Sequence, residues 1–338
     1  MAVPMVNLIE FRHVLDLLDG IASPAIVNRA LRAEGLSRNV LAQDVGFLPY
    51  DLEARVIERV ARTLGDATLG THLAQRFDYS SYDAYARYVL GAKDLEEALY
   101  RGRRAFALTH PGSEILLRRQ EGHVLVGRRT ELTTVVGHRH LDDGAIVIIG
   151  GVIRHFLGPD WRPAWVESTG TDSVSTTYLQ QTIGAPVRAG SEMPALAISE
   201  SALSAPNPNP PGSHQRVGFI ELPSLMRVDP PETMTSAVDQ VLRTQFVLGD
   251  LSEESVASRL SLGRRSLQRA LKTEATSFRE VKAKFLEQRA RALLAESDLD
   301  VPTIARALGY DEPHSFRRAF RTWTGLTPHA YRLAVREK

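Results

Sequence analysis

The last third of the chain contains one helix–turn–helix pattern twice, and this repeat constrains the fold more than any other feature of the sequence. In the copy at residues 301–323, Ile304, Ala305 and Leu308 have helical spacing, and Gly309 stands where a left-handed residue can end a helix. A second helix follows the turn, and its apolar residues recur at helical spacing: Phe316, Ala319, Phe320 and Trp323. The pattern predicts two packed helices joined by a tight turn.

Residues 252–274 repeat this pattern closer to the middle of the chain. Ala257 stands 48 residues before Ala305, and the apolar and cationic positions of the second helices correspond at a separation of 49. Residues 277–296, between the copies, contain neither Pro nor Gly, so they are predicted to form one long helix. We expect this linking helix to hold the two copies at a fixed separation.

The second helix of each copy carries polar and cationic side chains opposite its apolar face. An α-helix fits the major groove of DNA, where Arg pairs with guanine and Gln with adenine. We expect these side chains to contact bases: Arg265, Gln268, Arg269, His314, Arg317 and Arg318. We expect phosphate contacts from Arg264, Ser266, Lys272, Ser315 and Arg321, and from the first-turn N–H groups of the helices that contain Val256 and Ile304. A solvated arginine face would look similar, but the tandem repeat favours DNA.

The net charge of +1 hides an uneven distribution along the chain. Residues 250–338 hold 17 Lys and Arg against 12 Asp and Glu, a balance of +5, whereas residues 1–249 hold 24 against 28, or −4. A basic C-terminal part joined to a slightly acidic remainder is typical of a polyanion-binding module attached to a domain with another task.

A proline-rich stretch marks the boundary between two predicted domains. Four prolines fall within residues 204–214, and no regular element is predicted there or in the continuation to residue 231. The sequence therefore predicts an N-terminal domain at 1–204, a stiff extended linker at 205–231, and an all-α domain at 232–338 that begins with a bracing helix ending at Gly249.

The N-terminal domain is predicted to be α+β. Amphipathic helices are expected from the start of the chain, and a hairpin is expected around Glu121 and Gly122. The apolar run from Ala145 to Ile153 is compatible with either a buried helix or a buried strand. Shorter strands are predicted around Trp165 and after Pro194.

Residues 233–338 resemble the DNA-binding domain of the AraC/XylS family of bacterial transcriptional regulators. The signature IARALGYDEPHSFRRAFRTWTGLTPHAYR follows the family pattern almost throughout, and VASRLSLGRRSLQRALKTEATSF matches its first half. The chain departs from the pattern at Ala275, where the family has Gly, and at Pro313, where related proteins carry a polar residue.

Residues 10–205 resemble the effector domain of AraC-type regulators related to those that respond to ornithine, arginine or lipids. They do not resemble the cupin barrel of the arabinose regulator. The two resemblances together imply a one-component regulator that binds double-stranded promoter DNA. They also imply a small-molecule effector, such as an amino acid, a fatty acid or a similar small acid, with a homodimer and RNA polymerase as further expected partners. The alternative is a ligand-independent regulator whose N-terminal domain only oligomerises or binds a protein partner.

Several clusters in the N-terminal domain are weaker candidates for an effector site. Four tyrosines recur every third residue from Tyr79 to Tyr88, and core packing or a subunit contact is the preferred explanation of this stripe, with Tyr82 and Tyr85 as candidates to line a pocket. Arg101, with Arg103 and Arg104, could bind an anionic effector, or form a solvated basic turn.

Other classes of site are not expected. His138 and His140 would share a face on a strand, as some metal sites require, but no carboxylate or thiol accompanies them, so neither a metal nor a cofactor is predicted. The chain has no cysteine, no phosphate-binding glycine loop and no catalytic constellation, which argues against an enzyme. No apolar run approaches the roughly 20 residues of a membrane helix, and a cytoplasmic protein is expected.

Overall fold

The computed structural model of the protein divides into two compact units, Met1–Glu232 and Thr233–Lys338. The structure describes residues 3–41, 46–132, 134–212 and 216–336. Ser213, His214 and Gln215, which belong to the predicted linker, lie outside the described residues. The prediction of an α+β unit followed by a helical unit is confirmed.

The N-terminal unit combines helices with one larger and one smaller sheet. Its helices are α1 (Leu8–Asp19), α2 (Pro24–Ala33), α3 (Arg38–Leu41), α4 (Tyr50–Leu64), α5 (Leu69–Arg76), α6 (Ala84–Leu90), α7 (Leu95–Ala105), α8 (His138–Leu157), α9 (Ser173–Ile183) and α10 (Leu222–Met226). Its strands are β1 (Met5–Asn7), β2 (Phe47–Pro49), β3 (Ser113–Gln120), β4 (His123–Thr130), β5 (Val166–Glu167), β6 (Val187–Arg188) and β7 (Ala195–Ser199). Short 3₁₀ helices span Tyr79–Tyr82, Phe106–Leu108 and Glu200–Ser204.

The larger sheet has the strand order β3-β4-β7-β5-β6 and is open rather than closed into a barrel. Its pairs are antiparallel except β5 with β6. The predicted β3–β4 hairpin is present, and both turn residues, Glu121 and Gly122, have left-handed φ angles of 51° and 72°. A two-residue turn of this hand matches the twist of the strands. Smaller strands β1 and β2, which were not predicted, form a separate antiparallel pair.

The core of the N-terminal unit contains a large cluster among its helices and a smaller one at the larger sheet. Apolar residues of α1, α2, α4 and α5 form one cluster, in which Phe11 and Leu18 of α1 are fully buried. The apolar run from Ala145 to Ile153, for which the sequence allowed either a helix or a strand, is helical. It belongs to α8, which packs against α4, α5 and strands β4 and β7. Leu125 and Trp165 belong to a smaller apolar cluster at the larger sheet.

The segment predicted as an extended linker instead packs against the N-terminal unit. The buried side chain of Asn207 donates hydrogen bonds of 2.7 Å to the carbonyl oxygens of Leu90 and Ala92, just after α6. Farther on, the unpredicted helix α10 packs on α6 and buries Leu222. Prolines do not prevent this helix, because Pro223 stands in its first turn, where a missing N–H costs nothing.

The C-terminal unit is helical throughout its regular structure. Its helices are α11 (Met234–Leu248), α12 (Glu253–Arg259), α13 (Arg264–Thr273), α14 (Phe278–Glu296), α15 (Val301–Ala307), α16 (Pro313–Thr324) and α17 (Pro328–Arg336). The long helix α14 separates the pair α12–α13 from the pair α15–α16 and buries Phe285, Ala290 and Leu294. Helix α11 braces the first pair, and its buried Gln245 donates a 2.6 Å hydrogen bond to Ser255 of α12. None of the helices in the described ranges is long and apolar enough to cross a membrane.

Candidate nucleic-acid interface and buried cavity

Helix α13 has one packed face and one polar face. Leu267 and Leu271 are fully buried, whereas Arg265, Gln268 and Arg269 are exposed on the other side. Among the described residues, none of these three polar side chains has a hydrogen bond or ion pair. Their spacing of i, i+3 and i+4 turns them to one side of the helix, so the predicted base contacts share an accessible surface.

Helix α16 repeats the arrangement of α13. Phe316 and Phe320 are fully buried, and their rings contact each other in a tilted arrangement with centroids 5.8 Å apart. The predicted base contacts His314, Arg317 and Arg318 are exposed, and within the part of the chain that the structure describes their side chains have no polar partner. The structure therefore holds α16 by aromatic packing and leaves its cationic face free.

The predicted phosphate contacts have different surroundings. Lys272 and Arg321 are exposed in the last turns of α13 and α16. Ser266 and Ser315 are half-buried. Arg264 already forms an ion pair, because its guanidinium group lies 3.3 Å from the carboxylate of Glu253 in α12. A phosphate would compete with that carboxylate for Arg264.

The N-termini of α12 and α15, which were predicted to bind phosphate, are already capped. Ser252 accepts a hydrogen bond from the Ser255 N–H, and Asp300 accepts one of 2.8 Å from the Thr303 N–H. The negative charge of Asp300 also opposes an approaching phosphate. Helices α13 and α16 have no side-chain cap, so their first-turn N–H groups are better donors to phosphate than those of α12 and α15.

The two copies differ at the residues that end their helices. Gly309 and Gly325 of the second copy have left-handed φ angles of 79° and 75°. In the first copy, Ser261 and Ala275 follow α12 and α13 with left-handed φ angles of 54° and 55°. The first copy thus uses residues that disfavour the left-handed conformation, and Ala275 adopts it although it carries a Cβ atom.

The N-terminal unit encloses a cavity of about 120 Å³ between α1, α4 to α8 and the β3–β4 hairpin. Of the tyrosines considered for a pocket, Tyr79, Tyr82 and Tyr85 line this cavity. Arg101 does not line it: its guanidinium group donates a 2.8 Å hydrogen bond to the Tyr88 carbonyl oxygen and pairs with Glu97. Arg103 lines the cavity in its place.

One end of the cavity carries buried charged groups that sequence reasoning missed. Glu10 accepts hydrogen bonds from Tyr82 and from His110, which lies 2.9 Å away. Burial acts to raise the pKa of Glu10, but the interactions with His110, Tyr82 and Arg128 together outweigh it and hold that pKa below its ordinary value. On the opposite wall, Arg128 donates to Tyr50 at 2.6 Å and to Asp142 at 2.9 Å.

Glu53 is the remaining buried carboxyl group at this end of the cavity. Burial raises its pKa well above the ordinary value, and the nearby charge of Glu10 raises it further. A charged residue between Leu52 and Ala54, within an amphipathic helix, was the available signal in the sequence. The sequence shows where Glu53 lies in the helix, but the burial of its side chain depends on elements that are distant in the chain.

The two histidines considered for a metal lie on a helix rather than on a strand. His138 and His140 are the first and third residues of α8, so they point in different directions. The Nδ1 atom of His138 lies 2.8 Å from the Val135 carbonyl oxygen, and the Nε2 atom of His140 lies 3.0 Å from Glu58. In the ranges that the structure describes, no three His, Cys, Asp or Glu residues are arranged to hold a metal ion.

The architecture defines a class: an α+β unit with an internal cavity, joined to a unit with paired helix–turn–helix motifs. The pattern of the family described as "Arabinose-binding domain of AraC transcription regulator, N-term" matches residues 26–207. A second pattern, described as "Helix-turn-helix domain", matches residues 256–334. The chain belongs to the AraC family of transcription regulators. The matched domains are those of regulators and not of enzymes.

The chain is similar to several individual proteins. The chain is 38% identical over 78 residues to the HTH-type transcriptional regulator VqsM of Pseudomonas aeruginosa, a match that spans 23% of this chain and 24% of that protein. It is 23% identical to the ornithine utilization regulator of the same organism over 97% of both chains. The crystal structure of the transcriptional regulator CdpR from Pseudomonas aeruginosa is 20% identical, with a TM-score of 0.45 over 96% of this chain and 98% of that one.

Proposed function

We propose that this protein is a one-component transcription regulator that binds promoter DNA through α13 and α16. The observation that carries the proposal is the pair of exposed polar faces on these two helices, on which Arg265, Arg269, Arg317 and Arg318 have no polar partner among the described residues. Arg265, Gln268 and Arg269 would contact bases from α13, and His314, Arg317 and Arg318 from α16. Arg264, Ser266, Lys272, Ser315 and Arg321 would contact phosphates.

The cavity of the N-terminal unit is the proposed effector site. Helix α6 supports this role, because Tyr85 and Val89 line the cavity while Tyr88 of the same helix contacts Phe219, in the segment that leads to the C-terminal unit. A ligand can alter DNA binding only if it binds two arrangements of the protein with different affinities. Helix α6 contacts both the cavity and this segment, so a shift of α6 would distinguish two such arrangements. A homodimer, a contact with RNA polymerase and a cytoplasmic location stay predictions.

Footprinting on the DNA upstream of the protein's own gene tests the DNA-binding role. Arg269→Ala should weaken protection of the specific site by roughly 1–3 kcal/mol, since one bidentate base contact is lost. Lys272→Ala, on the same helix, is the matched control and should weaken binding to all DNA alike. If Arg269→Ala weakens specific and random DNA equally, α13 does not make the base contacts proposed here.

A thermal-shift screen of the full chain separates the effector-controlled regulator from the ligand-independent alternative. A molecule that binds only the folded state raises the unfolding temperature by mass action. The effector role requires that a stabilising compound also change the footprint. Stabilisation without any change in the footprint would favour the ligand-independent regulator.

A further inference from the structure

Two polar atoms at the charged end of the cavity lack any hydrogen-bond partner among the described residues. They are Oε2 of Glu53 and Nε of Arg128, both fully buried atoms of residues that line the cavity. Glu53 and Arg128 are themselves only 2% and 4% exposed. Unpaired polar atoms at such depth are uncommon in native proteins and call for a partner.

The charged groups around these two atoms are already paired with one another. Glu10 is held by His110, and Asp142 is held by Arg128. A ligand with a charged head would add a charge that none of these pairs is free to neutralise, and an unpaired buried charge is strongly unfavourable. The electrostatics of the site therefore favour an uncharged head group.

We propose that the cavity binds an uncharged amphipathic molecule whose carbonyl oxygen accepts hydrogen bonds from the Glu53 carboxyl group and the Arg128 Nε–H group. The proposal rests on the effector role given to the cavity above and names the chemical class of that effector. Ketones, esters and lactones with a hydrocarbon body belong to this class. Both unpaired atoms would then be donors to one acceptor.

Glu53 can donate because its surroundings keep it protonated. Burial and the nearby Glu10 raise its pKa, and only Arg128 acts in the opposite direction. Tyr50, on the same helix, is close enough to interact with Glu53 electrostatically. His110, Tyr82 and His140 complete the titratable groups of the nearby cavity wall, together with the tyrosines at positions 79 and 85 and the arginine at 103.

The rest of the cavity suits a hydrocarbon body. Its walls away from the charged end are built from aliphatic and aromatic side chains of α1, α5, α6 and α8, among them Val14, Leu73, Phe77, Val89, Ile149 and Val152. An apolar body gains free energy by leaving water for such walls, and the carbonyl fixes its orientation.

Isothermal titration calorimetry on the full chain with four eight-carbon probes tests the class: 2-octanone, octylamine, octanoate and octane. We expect 2-octanone to bind most tightly, and octane about tenfold more weakly because it leaves both donors unpaired. Glu53→Gln keeps an N–H donor and should bind 2-octanone within about threefold of the wild type, whereas Glu53→Leu should lose about tenfold. Circular dichroism of each variant checks that it is folded.

The pH dependence of binding gives a second measurement that does not need the leucine variant to fold. Affinity of the wild type for 2-octanone should fall as pH rises and Glu53 loses its proton, and this dependence should vanish in Glu53→Gln.

Tighter binding of octylamine, with loss of affinity in Glu53→Gln, would overturn the proposal in favour of a cation. Tighter binding of octanoate would overturn it in favour of an anion, and failure of all four probes would overturn the cavity as a site for such molecules. Footprinting of the same preparations decides separately whether the protein binds its operator.

Discussion

Replacing Ala275 by glycine should stabilise the C-terminal unit. Ala275 ends α13 with a φ angle of 55°, a left-handed conformation that costs a residue with a Cβ atom about 1–2 kcal/mol. Glycine removes this cost but loses about 0.4–1 kcal/mol through the greater freedom of the unfolded chain. The expected net gain in free energy of unfolding is about 0.5–1 kcal/mol. Gly325 ends α16 in the same left-handed region, and no atom lies within 4 Å of the position that its Cβ would occupy, so a side chain there would meet only a conformational cost.

Differential scanning calorimetry of the full chain measures the effect. A gain of this size should raise the unfolding temperature of the C-terminal unit by about 2–6 °C. Gly325→Ala should lower it, since it places a Cβ at the same kind of turn. Ala270→Gly, inside α13, is the helix control and should destabilise by about 0.5–1 kcal/mol. If Ala275→Gly destabilises as much as Ala270→Gly, the left-handed assignment of this residue is incorrect.

Three further predictions concern the two sites and the segment between them. Lys272→Ala should reduce by about one the slope of log affinity against log salt, measured by fluorescence anisotropy on labelled DNA, because one phosphate contact is lost. Glu53 has a raised pKa in the folded state, so its contribution to stability is fully present below the ordinary carboxyl pKa and is lost as pH rises through the raised value. Urea unfolding of Glu53→Gln should lack this loss, and an identical pH profile in both proteins would refute it. Phe219→Ala should increase proteolysis of the segment before α11, because Arg104 stacks 3.9 Å above the Phe219 ring, whereas Ile220→Ala, at a 92% exposed position, should not.

The C-terminal unit could be predicted from sequence because its determinants are local. Apolar spacing, capping residues and turn glycines all act within a few positions of one another, so Leu267 and Leu271 had to face inward once α13 formed. The exposed positions of Arg265 and Arg269 follow from the same geometry. The cap at Ser252 could also be predicted, but the phosphate contact expected from the first-turn N–H groups of α12 did not take that cap into account.

The cavity could not be predicted in the same way, because it is assembled from distant parts of the chain. Glu10, Glu53 and Arg128 come from α1, α4 and β4, and nothing in the local sequence of any of them indicates that they meet. The tyrosine stripe gave a partial signal, since Tyr82 and Tyr85 do line the cavity. Periodicity identified the residues but could not distinguish a cavity wall from a packed core.

The basic run on α7 illustrates why residue type alone was insufficient. Successive residues of an α-helix are separated by about 100°, so positions 101 and 104 lie on neighbouring parts of the helix surface, whereas position 103 points away from position 101. Arg101 binds the backbone of α6, Arg103 lines the cavity, and Arg104 stacks on Phe219. One helix therefore contacts the cavity, the neighbouring helix and the segment that leads to the C-terminal unit. A ligand that favours one position of α7 over another changes all three sets of contacts together, and the difference in its affinity for the two positions limits how strongly it can control DNA binding.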